Sequence, residues 1–336
     1  MEYIRRLLLT CREALAGRAF PVCLLIAAAA ITWQCLVPPI VGLADNGDYY
    51  VFTEPFGLQA VVRGTGEERY QGYVVTDFFD TRNARRAQLF TTGWLTFAPG
   101  YLWTRVFSKN SHYDIRLAGV THAALYLLAL GLLFPVLLRA GPAWAMALAL
   151  VVACDVQYVC YFNSLYTDVV SLVFLLLAVA FYVRLATGTG APETNGRWFL
   201  LFVVLFIGSK AQHSVLLAPA AAFVFWKRPL LFAAAGRRTT LVAIALIVVI
   251  GLVCIFWTPA EYRAIPYYTT IFKGLMPFHP NPGELLKEFD LPREFITYMA
   301  NDSYMIMFTM GKPGFQKECG GKRCSEKDKA KRRRNR

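Results

Sequence analysis

Long apolar runs separated by shorter polar segments predict a protein with several membrane-spanning helices. The first run extends from Phe20 to Pro39, and the polar segment after it continues to about Arg116. A helix needs about 20 mainly apolar residues, with a range of roughly 17 to 25, to cross the hydrocarbon core of a bilayer. Further runs of suitable length cover Leu117 to Leu138, Ala143 to Val159, Val169 to Leu185 and Thr239 to Trp257. The pattern predicts an all-α polytopic membrane protein with a sizeable first extracytoplasmic loop.

The stretch from Trp198 to Trp226 is apolar except for a polar centre, Ser209 to His213. Neither apolar half is as long as a full span. The stretch is therefore either two half-length helices that meet at a polar tip or one long interrupted helix. Positively charged loops prefer the cytoplasm, and basic residues flank this stretch and the next run. They are Arg184, Arg197, Lys227, Arg228, Arg237 and Arg238. We therefore expect a hairpin whose tip places Lys210 and His213 on the extracytoplasmic side.

These patterns divide the chain into six parts. They are a cytoplasmic amphipathic helix (1–19), the first span (20–41), an extracytoplasmic catalytic loop (42–116), a transmembrane bundle (117–257) with the hairpin near 198–226, an extracytoplasmic segment (258–315) and a basic tail (316–336). A cleaved signal peptide is the rival for the first span, but the long N-terminal region and the later spans favour an uncleaved helix. The tail is either disordered or not native, and we favour the second because a basic end should not lie outside.

Composition excludes soluble proteins, since 56% of the residues are hydrophobic and only 17% are charged, against roughly a quarter charged in soluble domains. The net charge of +13 belongs mainly to the tail, because eleven Lys/Arg and three Asp/Glu follow from Lys312 onward. We therefore expect membrane lipids as partners and no nucleic acid. Cys319 and Cys324 form a single pair, whereas structural zinc needs four ligands, so no zinc site is predicted.

Two carboxylates, Asp45 and Asp48, flank Asn46-Gly47 directly after the first span. Asn and Gly both tolerate a positive φ, so the two acids should border a tight bend and point into one space. If a sugar arrives on a lipid phosphate, the departing phosphate needs no protonation, and one carboxylate suffices to deprotonate the acceptor hydroxyl. Asp45 or Asp48 can be this base. A solvated turn without catalytic function is the alternative interpretation.

Such a transferase also needs cations for the phosphate and surfaces for the sugar. Lys210 is favoured for the phosphate because it interrupts an apolar region at a membrane boundary, where an ionisable group is costly unless it is used. The alternative interpretation is that Lys210 only extends its ammonium group to the lipid head groups and binds no ligand. The other cation candidates are His213, Arg263, Arg63 and Arg116, and Tyr49, Tyr50 and Trp94 are candidates for stacking on the sugar.

Four further assignments remain open at this point. Asp168 and Asn163 precede the fourth span, where Thr and Asp are good helix caps. Tyr70 to Phe79 can form a short strand, and Gly93 to Phe107 can form a short helix in the membrane interface. The residues indicate no definite cofactor, and a divalent metal bridging Asp45 and Asp48 is possible, although two carboxylates make an incomplete site.

The layout resembles the GT-C class of polytopic glycosyltransferases, in particular bacterial surface-glycan hexosyltransferases. The matching motifs are Asp45-Asn46-Gly47-Asp48-Tyr49, the segment Tyr161 to Asp168 and the segment Gly208 to His213. The resemblance implies a polyprenyl-phosphate sugar donor, Asp45 or Asp48 as the base and Lys210 near the lipid phosphate. Members usually continue through more spans, so the chain looks truncated at its C-terminal end.

We therefore expect an inverting hexosyltransferase in the inner (cytoplasmic) membrane with its active site on the extracytoplasmic side. It would transfer a hexose from a polyprenyl-phosphate sugar to a glycan or lipid-linked acceptor. One alternative is a flippase or transporter of a lipid-linked saccharide that uses the broken helix at Ser209 to His213. Another is a non-catalytic subunit of a glycan assembly complex.

Overall fold

The computed structural model describes residues 2–45, 48–61, 74–85, 89–108, 111–140, 143–258, 270 and 274–289. Before residue 19 it describes only the backbone. Arg63, Arg263 and the predicted tail, 316–336, lie outside the described residues. The chain divides into two compact units, Met1–Trp257 and Thr258–Arg336.

The first unit consists mainly of helices. They are α1 (Glu2–Leu36), α2 (Tyr50–Phe56), α3 (Trp94–Phe107), α4 (Arg116–Ala140), α5 (Ala143–Ala153), α6 (Val156–Val159), α7 (Thr167–Ala186), α8 (Pro192–Ser209), α9 (Leu217–Trp226), α10 (Arg228–Ala235) and α11 (Arg237–Trp257). Its strands are β1 (Leu58–Ala60), β2 (Asp77–Asp80) and β3 (His112–Asp114), and a 3₁₀ helix covers Ala211–Leu216. In the second unit the structure describes a 3₁₀ helix, Met276–Phe278, and α12 (Pro282–Glu288).

Four helices of the described chain are long and apolar enough to cross a membrane. They are Ala19–Leu36 within α1, Arg116–Arg139 within α4, Thr167–Ala186 and Arg237–Trp257. A fifth span results if Ala211–Trp226 and Arg228–Ala235, which meet at 71°, are counted together. The predicted fold class, an all-α polytopic membrane protein, is confirmed.

The backbone differs from the predicted elements at two places in the N-terminal half. The predicted amphipathic helix and first span form one continuous helix, α1, which ends at Leu36. Pro38 and Pro39 follow closely and lack the N–H groups that a longer helix would need. The predicted third span is interrupted instead of continuous, because Asp155 starts a new helix by accepting a hydrogen bond from the Gln157 N–H at 2.8 Å, as aspartate commonly does at a helix start.

Helices α8 and α9 are separated by Lys210, whose extended backbone (φ −147°, ψ 136°) ends α8. The chain then turns back, since Phe199 of α8 contacts Phe223 of α9, with ring centroids 6.3 Å apart. Near the start of α8, Gly196 packs closely against α10, because a Cβ atom at Gly196 would lie 3.0 Å from the Cβ atom of Ala234. Helices α8, α9 and α10 therefore form a hairpin with Lys210 at its tip. Helix α8 also packs along α7, and α11 covers the hairpin.

The segment between α1 and α4 forms a small folded unit on the bundle. Strands β1, β2 and β3 pair in this order as an antiparallel sheet, with Gln59 opposite Phe79 and Phe78 opposite Tyr113. Strand β2 lies at the end of the predicted strand, Tyr70 to Phe79, of which residues 70–73 lie outside the description. Phe78 and Tyr113 are fully buried. The sheet therefore has an aromatic core of its own.

Helix α3 has small or polar residues on its buried face and large apolar residues on its exposed face. Its buried face includes the small or polar residues Thr96, Gly100 and Thr104. Its exposed face is apolar and follows helical spacing at Leu95, Leu102, Trp103, Val106 and Phe107. An exposed apolar stripe of this kind is typical of a helix that lies in the membrane interface.

Candidate functional site

Several helix ends meet on the side of the bundle where the segment between α1 and α4 lies. The end of α1, the starts of α4 and α7 and the end of α8 are joined there by side-chain contacts. We call this region the junction and define it as residues 41–45, 48–50, 89–93, 160–168 and 205–213. It includes the described residues of the three motifs on which the resemblance to GT-C enzymes rests.

Asn163 holds the junction together at its centre. Its Nδ2 group donates to the carbonyl oxygens of Cys35 and Val41, each at 2.8 Å. Cys35 lies in the last turn of α1, where carbonyls lack partners within the helix, and Val41 lies five residues after the end of α1. Asn163 is fully buried. It therefore fixes the path by which the chain leaves the first span and reaches Asp45, and it is not the helix cap that the sequence left open.

We expect Gly119→Ala to destabilise the protein because of this contact. A Cβ atom at Gly119 would lie 2.1 Å from Oδ1 of Asn163, so the amide would have to move and weaken both of its hydrogen bonds. Overpacking of this kind costs about 1 to 3 kcal/mol. The measurement is unfolding of the purified protein in detergent.

The matched control is Gly131→Ala in the same helix, α4. The nearest atom to a Cβ there is Cδ2 of Leu24, at 3.8 Å, which is an ordinary contact. This variant should unfold like the wild type. If both variants were equally stable, the inferred role of Asn163 would be contradicted.

Asp45 is buried, with 1% of its surface exposed. Its Oδ1 accepts a hydrogen bond from the Tyr49 N–H at 3.4 Å. The two neighbouring phenols bind the same segment, since Tyr49 Oη donates to the Leu43 carbonyl at 2.8 Å and Tyr166 Oη donates to the Ala44 carbonyl at 2.6 Å. These contacts order the chain just before the predicted turn, whose residues 46 and 47 lie outside the description.

Asp48 lies after the turn and is half-buried. Its carbonyl accepts from the Val51 N–H at 3.2 Å as α2 begins. Of the two predicted bases, Asp48 is therefore the more exposed residue, whereas Asp45 is enclosed. This difference in exposure was not visible in the sequence.

The tip of the hairpin carries an ion pair. Lys210 Nζ lies 2.7 Å from Asp168 Oδ1, with 25% of the Lys210 side chain and 46% of the Asp168 side chain exposed. Asp168 lies in the first turn of α7, where the helix dipole favours a negative charge, but the cap position is Tyr166 and has no side-chain cap. The suggested capping role of Asp168 is therefore wrong, and its carboxylate binds Lys210 instead.

The hairpin tip is also tied to the segment that precedes α3. Thr91 Oγ1 donates to the Ser209 carbonyl at 2.7 Å, and Thr92 Oγ1 donates to the Leu205 carbonyl at 2.6 Å. The Thr92 N–H donates to the Gly208 carbonyl at 2.8 Å. Of these acceptors, the Gly208 and Ser209 carbonyls are left without helical partners by the break at Lys210.

With this geometry in place, comparison with known families assigns the chain. The family model described as the YfdI N-terminal transmembrane domain matches residues 10–309. The chain belongs to this family. No curated protein matches it, and no solved structure does. The matched residues of this YfdI-family chain include the whole junction.

The other predicted cations of this YfdI-family chain occupy different positions. The ring of His213 approaches the Phe206 carbonyl, at 2.9 Å from Nδ1, and Ser209 Oγ, at 3.2 Å, so it helps to hold the tip beside Lys210. Arg116 binds Asp114 through Nε, at 2.9 to 3.0 Å, and lines a separate cavity. Arg63 and Arg263 lie outside the described residues.

The predicted sugar-stacking residues differ in access. Tyr49 is fully buried, and its ring packs against Tyr166 and Phe78, so neither face of the ring is open to a sugar in this conformation. Tyr50 and Trp94 are half-buried. The Trp94 indole donates to the Val51 carbonyl at 3.2 Å, which fixes the orientation of its ring.

The phenols of the junction are poor candidates for a base. Burial, together with nearby Tyr166 and Asp45, raises the pKa of Tyr49 well above its ordinary value. Burial and the charge of Asp168 also raise the pKa of Tyr161. Both phenols are therefore protonated at neutral pH, and a general base works best when its pKa lies near the working pH. The carboxylates of the junction are therefore better candidates for the base than its phenols.

The described part of the chain offers no group of three or more His, Cys, Asp or Glu side chains that could hold a metal ion. Sequence reasoning missed Asn163 as a clamp, the partnership of Asp168 with Lys210 and the docking role of Thr91 and Thr92. In the sequence these residues stand out only as polar side chains at the ends of apolar runs. The helix ends that they join are decided by packing.

Proposed function

We propose that this chain is part of an extracytoplasmic membrane glycosyltransferase that transfers a hexose from a polyprenyl-phosphate sugar to a cell-surface glycan or lipid-linked acceptor. The YfdI family is GT-C-like, which supports the reaction class. The structural observation behind the proposal is the Lys210–Asp168 pair at the broken tip of a membrane hairpin. The junction then faces the outside of the cytoplasmic membrane.

Lys210 is the proposed ligand of the donor phosphate. Its ammonium group is partly exposed and is held by a single described carboxylate contact at 2.7 Å. An arriving phosphate can share or replace that contact, because a lysine ammonium has three N–H donors. As the sugar–phosphate bond breaks, negative charge grows on the phosphate, and a fixed cation stabilises it.

Asp48 is the proposed general base. It would accept the proton of the acceptor hydroxyl while that oxygen attacks the anomeric carbon, and the lipid phosphate would leave from the opposite face with inversion. Asp45 then has a positioning role, because its buried carboxylate binds the Tyr49 N–H directly after Asp48. The three segments that bear Asp48, Asp168 and Lys210 are joined by the contacts of Tyr166 and Lys210.

The test is photolabelling of membranes that contain the chain with a photoreactive polyprenyl phosphate. We expect labelling that is competed away by polyprenyl-phosphate hexose and not by a polyprenol without phosphate. The experiment requires binding only, so it is informative about this chain by itself. Absence of specific labelling in correctly inserted protein would contradict a lipid-phosphate donor.

Transport of a lipid-linked saccharide is the second candidate, because helices broken at a polar site are common in transporters. The break at Lys210 favours it. Transport predicts movement of labelled lipid across vesicles without a new glycosidic bond. Transfer predicts the new bond and release of polyprenyl phosphate.

A further inference from the structure

A second polar site lies outside the junction. An open cavity of about 420 Å³ is lined by the end of α1, the last turn of α3, β3 and the first turns of α4, and this volume is in the range of small-molecule sites, about 300 to 1,000 Å³. One wall is apolar, with Leu36, Trp103, Phe107 and Val120. The side chains of Trp103, Phe107 and Val120 are exposed, so this wall continues into a surface that meets lipid.

The polar wall of the cavity carries charges of both signs. Arg116 binds Asp114 through Nε and Nη2, and among the described residues its Nη1 group has no hydrogen-bond acceptor. His112 Nε2 lies 3.3 Å from Asp77 Oδ1. The lining thus combines the Arg116 guanidinium with the Asp114 carboxylate and the His112 imidazole. A simple anion would meet the carboxylate and a simple cation would meet the guanidinium, whereas a zwitterion has a partner for each.

The cavity and the junction lie against different faces of α4. Arg116 and Val120 line the cavity, whose lining includes no residue of the junction. With about 100° per residue in an α-helix, His122 points about 120° away from Arg116 and about 160° away from Val120. Gly119 faces Asn163 in the junction, and the imidazole of His122 lies 3.0 Å from the Phe162 carbonyl. A ligand in the cavity would therefore not occupy the proposed transfer site.

We propose that this cavity binds the head group of a zwitterionic phospholipid with a primary ammonium, of the phosphatidylethanolamine type. The phosphodiester binds Arg116, the ammonium binds the carboxylate of Asp114, and the acyl chains lie along Trp103, Phe107 and Val120. Bound there, the lipid fastens α3 and β3 to the start of α4. This site is independent of the proposed glycosyl transfer.

The test is native mass spectrometry of the delipidated full chain in detergent with lipids of identical acyl chains. We expect phosphatidylethanolamine to bind about tenfold more tightly than phosphatidylglycerol, since the phosphatidylglycerol head group brings no ammonium for the Asp114 carboxylate. Arg116→Gln should weaken phosphatidylethanolamine binding about tenfold. The control is Arg139→Gln, an exposed arginine at the other end of α4, which should bind like the wild type.

Asp114→Asn provides a readout that a merely structural effect would not produce. Asparagine keeps an acceptor oxygen for the Arg116 N–H, which Asp114 Oδ1 binds at 2.8 Å, but removes the negative charge. We expect the preference for phosphatidylethanolamine over phosphatidylglycerol to fall about tenfold. An unchanged preference in this variant, or equal binding of both lipids by the wild type, overturns the proposal. Displacement of the phospholipid by polyprenyl phosphate in an Arg116-dependent manner also overturns it and moves the donor to this cavity.

Discussion

Replacing Asp48 by Asn should lower the rate of hexose transfer by about 10² to 10⁴-fold, the usual contribution of a general base, in a preparation that performs the reaction. The substitution keeps the size of the side chain and removes its ability to take a proton. Photolabelling by the polyprenyl-phosphate probe should persist, because Asp48 is not proposed to bind the phosphate. The measurement is the initial rate of glycosidic bond formation beside the labelling yield.

Two further variants make this result specific. Asp155→Asn changes another exposed carboxylate, which starts α6 through a hydrogen bond that asparagine can also accept, and it should leave the rate unchanged. Asp45→Asn alters the buried neighbour and should reduce stability together with rate. A large loss of rate in a stable Asp45→Asn protein, with Asp48→Asn fully active, would transfer the role of base to Asp45.

Replacing Lys210 by Ala should weaken binding of the polyprenyl-phosphate probe by about 10 to 100-fold. Hydrogen bonds to a charged group contribute about 1.5 to 3 kcal/mol, and the variant removes the ammonium that the structure presents at the hairpin tip. Lys210→Arg should recover part of the affinity, since the charge remains while its geometry changes. The measurement is labelling yield as a function of probe concentration.

The partner of Lys210 gives the discriminating comparison. Asp168→Asn removes the carboxylate that competes with the phosphate for the ammonium, so probe binding should stay the same or increase. Lys227→Ala, at the other end of α9, removes a lysine whose Nζ lies 4.1 Å from the Trp226 ring centroid, and it should bind the probe normally. If Asp168→Asn lost binding as fully as Lys210→Ala, the pair would have a structural role and the proposed phosphate site would be wrong.

The candidate site was predictable from the sequence only in outline. Asp45, Asp48 and Lys210 were found because each interrupts or follows an apolar run, and a charge at such a place is costly. Sequence spacing could not tell that Asp45 is enclosed while Asp48 is partly exposed, or that the ring of Tyr49 is buried. Burial depends on neighbours such as Tyr166 and Phe78, which are distant in the chain.

The sequence by itself determined the class of fold, because the length and apolar character of each run are set locally by the thickness of a bilayer. It also placed the interruption near Lys210, where a polar centre opposes a continuous apolar helix. Only the tertiary structure decided which helix ends meet. Asn163 joins the end of α1, Thr91 joins the end of α8, and Asp168 joins Lys210. These contacts link residues from 42 to 128 positions apart, and such pairings arise from packing of whole helices, which no local pattern encodes.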